Sequence, residues 1–107
     1  SNKEPEPAGL IDLFDFDPFH SRAGLGIYIH ANYRDKGMAK EALKLFMEYA
    51  FSVLGIHNLY CNVAQSNSIS IQLFTSLGFN PIGIKKEWLK VKNGYEDELM
   101  FQKINPL

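Results

Sequence analysis

The residues best placed to do chemistry run from Ile27-Tyr28-Ile29 through His30-Ala31-Asn32-Tyr33 into Arg34-Asp35-Lys36-Gly37-Met38-Ala39-Lys40. This is a strand pattern passing through a short loop into the first turn of the chain's best helical pattern. Its charges oppose the field of that helix. Arg34, Lys36 and Lys40 crowd an end where unpaired N–H groups and the macrodipole already present positive potential, and Asp35 alone offsets them locally. An external anion resolves the conflict. Gly37 and the small Ala39 leave room for a phosphate to approach the backbone N–H groups, an arrangement suited to a pyrophosphate at a helix start. A second motif follows at a suitable distance, Asn67-Ser68-Ile69-Ser70-Ile71-Gln72-Leu73-Phe74-Thr75-Ser76-Leu77-Gly78-Phe79.

Positioning these motifs requires a definite set of elements. Residues 8–16 and 23–30 are rich in strand formers, and Asp17-Pro18-Phe19-His20-Ser21 between them supplies turn chemistry, which predicts two antiparallel strands. Residues 37–54 place Leu43, Phe46, Ala50 and Val53 at helical spacing, with Lys40, Glu41, Lys44 and Glu48 on the polar side and Gly55 as the stop. Residues 58–64 form a short strand. Ser66-Asn67-Ser68 opens a second helix that carries Ile69, Leu73 and Leu77 along one side and ends at Gly78. Residues 79–91 and 96–104 are strands around the hairpin signal Lys92-Asn93-Gly94-Tyr95. The predicted order β-β-α-β-α-β-β makes an α/β fold, a mixed α+β sheet flanked by helices with a right-handed crossover through the long one.

Composition bounds what such a domain does. The 107 residues suit one domain, with 46% hydrophobic and 21% charged residues, so neither a disordered tail nor a fibrous repeat fits. Eleven Lys plus Arg against twelve Asp plus Glu leave a formal charge of −1, which removes the general attraction a nucleic-acid or anionic-membrane binder relies on. No apolar run approaches the ~20 residues of a membrane span and no signal-peptide pattern opens the chain, so a cytoplasmic protein is expected. Cys61 is the single cysteine and reads as a small buried thiol; His20, His30 and His57 have no metal-ligand spacing, and no metal is expected. Residues 1–7, charged and broken by Pro5 and Pro7, read as a disordered linker or tag remnant, leaving residues 8–107 as a single domain. Glu96, Asp97 and Glu98 read as solvated carboxylates on an alternating edge strand.

The motifs together resemble the GNAT superfamily of acetyl-CoA-dependent N-acetyltransferases. Within it the likeness is to the branch of spermidine and ribosomal-protein N-terminal acetyltransferases, over residues 9–104. The marks are Arg34-Asp35-Lys36-Gly37-Met38-Ala39 and the helix ending in Leu77-Gly78-Phe79, together with Leu54-Gly55-Ile56-His57-Asn58-Leu59-Tyr60 and the hairpin over residues 88–98. The resemblance implies that Ile27, Tyr28 and Ile29 lie along the pantetheine arm of acetyl-CoA. It likewise implies that the N–H groups of Arg34, Asp35, Lys36, Gly37, Met38, Ala39 and Lys40 cradle the pyrophosphate, and that Asn67 hydrogen-bonds the cofactor arm. A splayed strand edge would receive the pantetheine amides as an added strand, and the backbone N–H of Ile29 would stabilise the oxyanion. The acceptor would be a small-molecule amine such as a polyamine, or a peptide N-terminus.

The chain departs from the family pattern in three places. Phe74 stands where relatives commonly carry the tyrosine that protonates the departing thiolate, and it cannot donate a proton. The stretch Ala23-Gly24-Leu25-Gly26 lacks the glutamate that serves many relatives as base; Tyr28, His30, Asp15 and His20 are the substitutes considered, each more readily a structural or surface residue. The usual N-terminal strand-helix-helix-strand portion would precede residue 8. Its absence would leave Phe14, Phe16 and Phe19 needing a partner, so self-association, as a homodimer, is expected. The leading reading is transfer of an acetyl group to a primary amine. A non-catalytic or shortened acetyl-CoA-binding domain that self-associates is the alternative, and a purely structural dimerisation module that binds no CoA is a third.

Overall fold

The computed structural model describes residues 9–29 and 37–107. Seven elements follow one another as β1 (Gly9–Asp17), β2 (Arg22–Ile29), α1 (Met38–Ser52), β3 (Asn58–Ala64), α2 (Ser68–Ser76), β4 (Asn80–Val91) and β5 (Gly94–Ile104). This is the predicted order. The strands form one mixed sheet ordered β1-β2-β3-β5-β4, antiparallel except where β2 lies parallel to β3. A parallel pair requires a crossover, and α1 supplies it.

Both helices cover the same face of the sheet. Side chains alternate across a strand, and on this face Ala23, Leu25, Leu59, Cys61, Val63 and Phe101 are all at most 3% exposed. Leu43, Met47, Ala50 and Phe51 of α1 and Phe74 of α2 complete the same core cluster. The buried stripe of α1 is rotated from the predicted one: Met47 and Phe51 are buried while Phe46 is only partly so, and Val53 is 65% exposed. The helix ends at Ser52, so Val53 already lies beyond it as the C-cap. Gly55, at φ 66°, then turns the chain so that the Ile56 N–H donates to the Ala50 carbonyl at 3.0 Å. In α2 the buried side chain is Phe74, and Ile69, expected on the inner side, is 47% exposed.

The hairpin over residues 91–94 closes on the pair Val91↔Gly94. Its strand β5 sits between β3 and β4, which corrects the expectation of an edge strand with solvated carboxylates. Each carboxylate is engaged. Glu96 accepts from the N–H and hydroxyl of Ser66 at 3.2 and 2.9 Å, Asp97 from the Glu87 N–H at 2.8 Å and Lys86 Nζ at 3.3 Å, and Glu98 from Lys85 Nζ at 3.3 Å. The bond from the Glu87 N–H, with help from Lys86, holds the Asp97 carboxyl below its ordinary value. Glu87 has φ 48° where the β4–β5 register slips between Lys85 and Leu89, so Asp97 fastens a bulge.

Candidate functional site

The parallel ladder between β2 and β3 is short. Its pairs are Arg22↔Asn58, Ala23↔Leu59 and Gly24↔Tyr60, after which β2 runs on to Ile29 and β3 to Ala64 without pairing. Each strand is held on its other side: β1 stays with β2 through Gly9↔Ile29, and β5 stays with β3 through Ala64↔Glu98. The two outer ladders carry the inner strands apart, and the backbone groups that β2 turns toward β3 are left without a ladder partner. A cavity of about 200 Å³ fills the gap, lined by Leu25, Gly26 and Ile27 on one side and by Asn62, Val63 and Ala64 on the other. Phe14, Asn67, Ser70 and Phe74 complete it.

The start of α2 borders this cavity through Asn67 and Ser70, and the start of α1 is the next described element after β2 in the chain. Helix α1 has Gly37 as its N-cap, whose φ of 69° is a left-handed conformation that favours glycine, and no side chain among the described residues caps it. The first intrahelical bond, Glu41 N–H to the Gly37 carbonyl, is 3.3 Å long, so the N–H groups of Met38, Ala39 and Lys40 precede any i−4 partner. Helix α2 is capped by Asn67, whose Oδ1 accepts from the Ser70 N–H at 3.1 Å. That bond uses the oxygen and leaves the amide N–H₂ of Asn67 for another partner at the cavity wall.

Of the residues singled out by sequence, Ile27, Asn67 and Phe74 meet at the cavity, and Tyr28 follows on β2 with its side chain 63% exposed. The backbone of Ile29 pairs with Gly9 at the end of that strand. Gly37, Met38, Ala39 and Lys40 form the start of α1, with Met38 48% exposed. Arg34, Asp35, Lys36 and His30 lie outside the described residues. Phe74 is 2% exposed and packs edge-on against Phe79, centroids 5.2 Å apart, which places an apolar ring at the cavity wall.

Two of the considered bases are at the wrong end of the sheet. His20 lies in the β1–β2 turn, where its Nδ1 is 2.8 Å from Asp17 Oδ2, and Asp15 sits at φ 49° where the β1–β2 register slips between Phe14 and Asp17. Both are on the side of the Gly24↔Tyr60 pair away from the opening. The bond from His20 keeps the Asp17 carboxyl below its ordinary value, and Asp17 Oδ1 also accepts the N–H groups of Phe19 and His20. This is turn chemistry. Cys61 is buried with its thiol pushed up to about 12 by desolvation, and it is no nucleophile.

Sequence reasoning missed Asn62. Its Oδ1 accepts from Lys85 Nζ at 3.1 Å, and Lys85 is held in turn by Glu98 at 3.3 Å with the Trp88 ring 5.5 Å away. An ammonium has only donors, so the amide oxygen must face it and the NH₂ must face elsewhere. Alternation along β3 marked Asn62 as a residue on the face opposite Cys61 and Val63, but the pairing partner across the sheet was not readable. Among the described residues no group of three or more His, Cys, Asp and Glu side chains has metal-holding geometry, and no helix is long and apolar enough to cross a membrane.

Comparisons with known proteins bear on the family and the fold. The chain is 40% identical over 78 residues to the spermidine N(1)-acetyltransferase of Escherichia coli (strain K12), a match covering 73% of this chain and 42% of that protein. It is 32% identical over 96 residues to the uncharacterized N-acetyltransferase p20 of Bacillus licheniformis, covering 90% of this chain and 54% of the relative. The chain therefore spans about half the length of the curated relatives it matches. Among solved structures, a variant of the spermidine N-acetyltransferase SpeG from Vibrio cholerae superimposes with a TM-score of 0.86 at 26% identity, covering 92% of this chain and 58% of that one. The ribosomal-protein-S5-alanine acetyltransferase from Vibrio fischeri shares the fold with a TM-score of 0.86 at 22% identity, covering 92% and 55%. The family described as acetyltransferase (GNAT) domain matches residues 1–80, and the chain belongs to that family.

Proposed function

We propose that the opening between β2 and β3 binds acetyl-CoA and that the chain transfers its acetyl group to a primary amine, either of a polyamine or of a protein N-terminus. The observation that carries this reading is the parallel ladder that stops after Gly24↔Tyr60, with an uncapped helix start beyond the open end of β2. A pantetheine arm has amides that extend a sheet edge, so the unpartnered groups of β2 around Ile27 and Tyr28 suit it. The N–H groups of Met38, Ala39 and Lys40 at the start of α1 suit a pyrophosphate, and the loop of Arg34, Asp35 and Lys36 precedes them. Asn67 would meet the arm with its amide nitrogen. The Ile29 backbone N–H is the expected oxyanion donor. Its relatives' names point the same way, since the spermidine N(1)-acetyltransferase of Escherichia coli is named for an amine acceptor.

The residues here divide the reaction into binding and proton handling. The strand edge and helix start would hold the thioester, with Leu25, Val63 and Phe74 as an apolar wall along one side. Phe74 donates no proton, so the thiolate would be protonated by water. That same residue favours the second reading, a non-catalytic or shortened acetyl-CoA-binding domain that self-associates. Phe16 is 56% exposed, Phe19 80% and Trp88 62%, which supports association as a homodimer.

The test is a calorimetric titration of acetyl-CoA into the chain, followed by a free-thiol assay with spermidine and with an alanine-terminated peptide. Saturable binding with release of free CoA supports the enzyme. Binding without release supports the second reading, and no binding removes both. Size-exclusion chromatography with light scattering is expected to show a dimer, and a stable monomer contradicts the association.

A further inference from the structure

The chain has no carboxylate on β2 near the opening, but the neighbouring strand brings one there. Asp12 of β1 pairs in register with Gly26, and a Cβ placed on Gly26 would stand 2.6 Å from Asp12 Oδ1. Any side chain at residue 26 would displace that carboxylate; glycine lets it lie over β2 beside Gly26, which lines the cavity, while Asp12 itself stands just outside the lining. The same device recurs one step down the strand, where the Phe14 ring occupies the space over Gly24. There the ring also meets Tyr60 edge-on at 5.9 Å and closes the floor of the opening. Gly24 and Gly26 thus hand their side-chain space to β1: one receives an aromatic floor, the other a carboxylate.

Across the opening stands the complementary group. The ladder ends at Gly24↔Tyr60; counted on in step, Gly26 and Asn62 are each two residues past that last pair, and both line the cavity. Asn62 is held by Lys85 through its oxygen, and its NH₂ has no protein acceptor among the described residues, nor is it a sealed polar atom. An acceptor-only group beside Gly26 and a donor at the cavity wall therefore stand on the face away from the helices. Aminolysis of a thioester needs this polarity: N–H of the nucleophile toward an acceptor, and carbonyl oxygen toward a donor.

We propose that Asp12 is the catalytic carboxylate that receives the acceptor amine across Gly26, with the NH₂ of Asn62, rather than the Ile29 N–H three residues further along β2, facing the carbonyl oxygen. The inference rests on the acetyl-transfer reading of the site. The neutral amine nitrogen forms a bond to the thioester carbonyl carbon, and the proton it then carries passes to the Asp12 carboxylate and on to water. The C–S bond breaks with its electron pair on sulfur, and the thiolate takes a proton from water. A carboxylate is too weak a base to strip a free alkylammonium, but once nitrogen is bonded to the carbonyl carbon its proton is far more acidic. Before that step the same carboxylate attracts a cationic amine, whose first proton is lost to solvent water to give the neutral nucleophile.

The test compares wild type with Asp12→Asn, Asp12→Glu and Gly26→Ala, and uses Asp15→Asn as a control carboxylate on the same strand. Spermidine binding to the CoA-loaded protein and turnover with spermidine are both measured, together with acetyl-CoA affinity and thermal melting. Asp12→Asn is expected to weaken spermidine binding at least about 10-fold and to lower kcat/KM by about 100-fold or more. Acetyl-CoA affinity and melting stay at wild-type values, Asp12→Glu restores part of the loss, and Gly26→Ala reproduces it. Spermidine binding that is absent or independent of Asp12, or Asp12→Asn turnover within threefold of wild type, overturns the role of Asp12. Loss of acetyl-CoA binding in the wild type overturns the acetyl-transfer reading instead.

Discussion

The two faces of the sheet are built from the same strands and do opposite work. Toward the helices, alternate residues of β2, β3 and β5 such as Leu25, Leu59, Cys61, Val63 and Phe101 are at most 3% exposed and join one hydrophobic core cluster. On the other face, one residue along each strand, stand Asp12, Gly26, Asn62, Glu98 and Lys85, none of them buried. The first face holds the fold by removing apolar area from water. The second holds Asn62, Lys85 and Glu98 in one bonded set beside the place where the sheet opens, the face to which the proposed chemistry is assigned. On that proposal, stability and function are separated by the period of two of a β-strand.

Breaking the helical face should have the largest effect. Leu59, wholly buried on the central strand, is expected to cost about 2–5 kcal/mol on substitution Leu59→Ala, which denaturant melts would register as a large fall in midpoint. Retained stability would mean that the core collapses around the vacancy. Next in size is Gly37→Glu, which sets bulk and negative charge at the uncapped start of α1. It should reduce acetyl-CoA affinity at least about 10-fold in calorimetry, whereas unchanged affinity would remove the anion role of that loop.

Smaller effects sharpen the contrast on the open face. Lys85→Met frees both Asn62 and Glu98, and is expected to cost only about 1 kcal/mol in denaturant melts because the ammonium is partly solvated. Its larger consequence is functional: the Asn62 amide is no longer oriented, so turnover should fall more than stability does. The bonds to Asp17 and Asp97 give a pH signature of the smallest size. Both carboxyls are held below their ordinary value of 3.8, so their contribution is present above it and fades as pH drops through the lower folded values. NMR of the β1–β2 turn and the β4 bulge through that acid range should show these two regions loosening. Asp17→Asn and Asp97→Asn should remove that pH dependence.

The residue pattern carried the element order well, because strand and helix periods differ strongly in the stretches around Leu43 and around Cys61. It placed β3 at residues 58–64 and opened α2 at Ser66-Asn67-Ser68, of which Asn67 is the cap. It missed the phase of α1, since Phe46 and Met47 are both apolar and only packing against the sheet chooses between them. Strand order was not legible either. Nothing local to Glu96, Asp97 and Glu98 shows that β5 inserts between β3 and β4, and so their partners Ser66, Glu87 and Lys85 could not be named. The same holds for the site: Asp12 and Asn62 acquire meaning only through register, Asp12 with Gly26 and Asn62 with the end of the β2–β3 ladder.

The central claim is that the gap between β2 and β3 is where acetyl-CoA binds, and amide chemical-shift mapping by NMR during an acetyl-CoA titration tests it most directly. The account predicts the largest shifts at Leu25 to Tyr28 of β2, at Met38 to Lys40 of α1 and at Asn67 to Ser70 of α2, with Arg22 to Gly24 little changed. Shifts confined instead to the groove of about 390 Å³ beside Lys44, Phe51 and Lys103, or spread evenly over the chain, would contradict it.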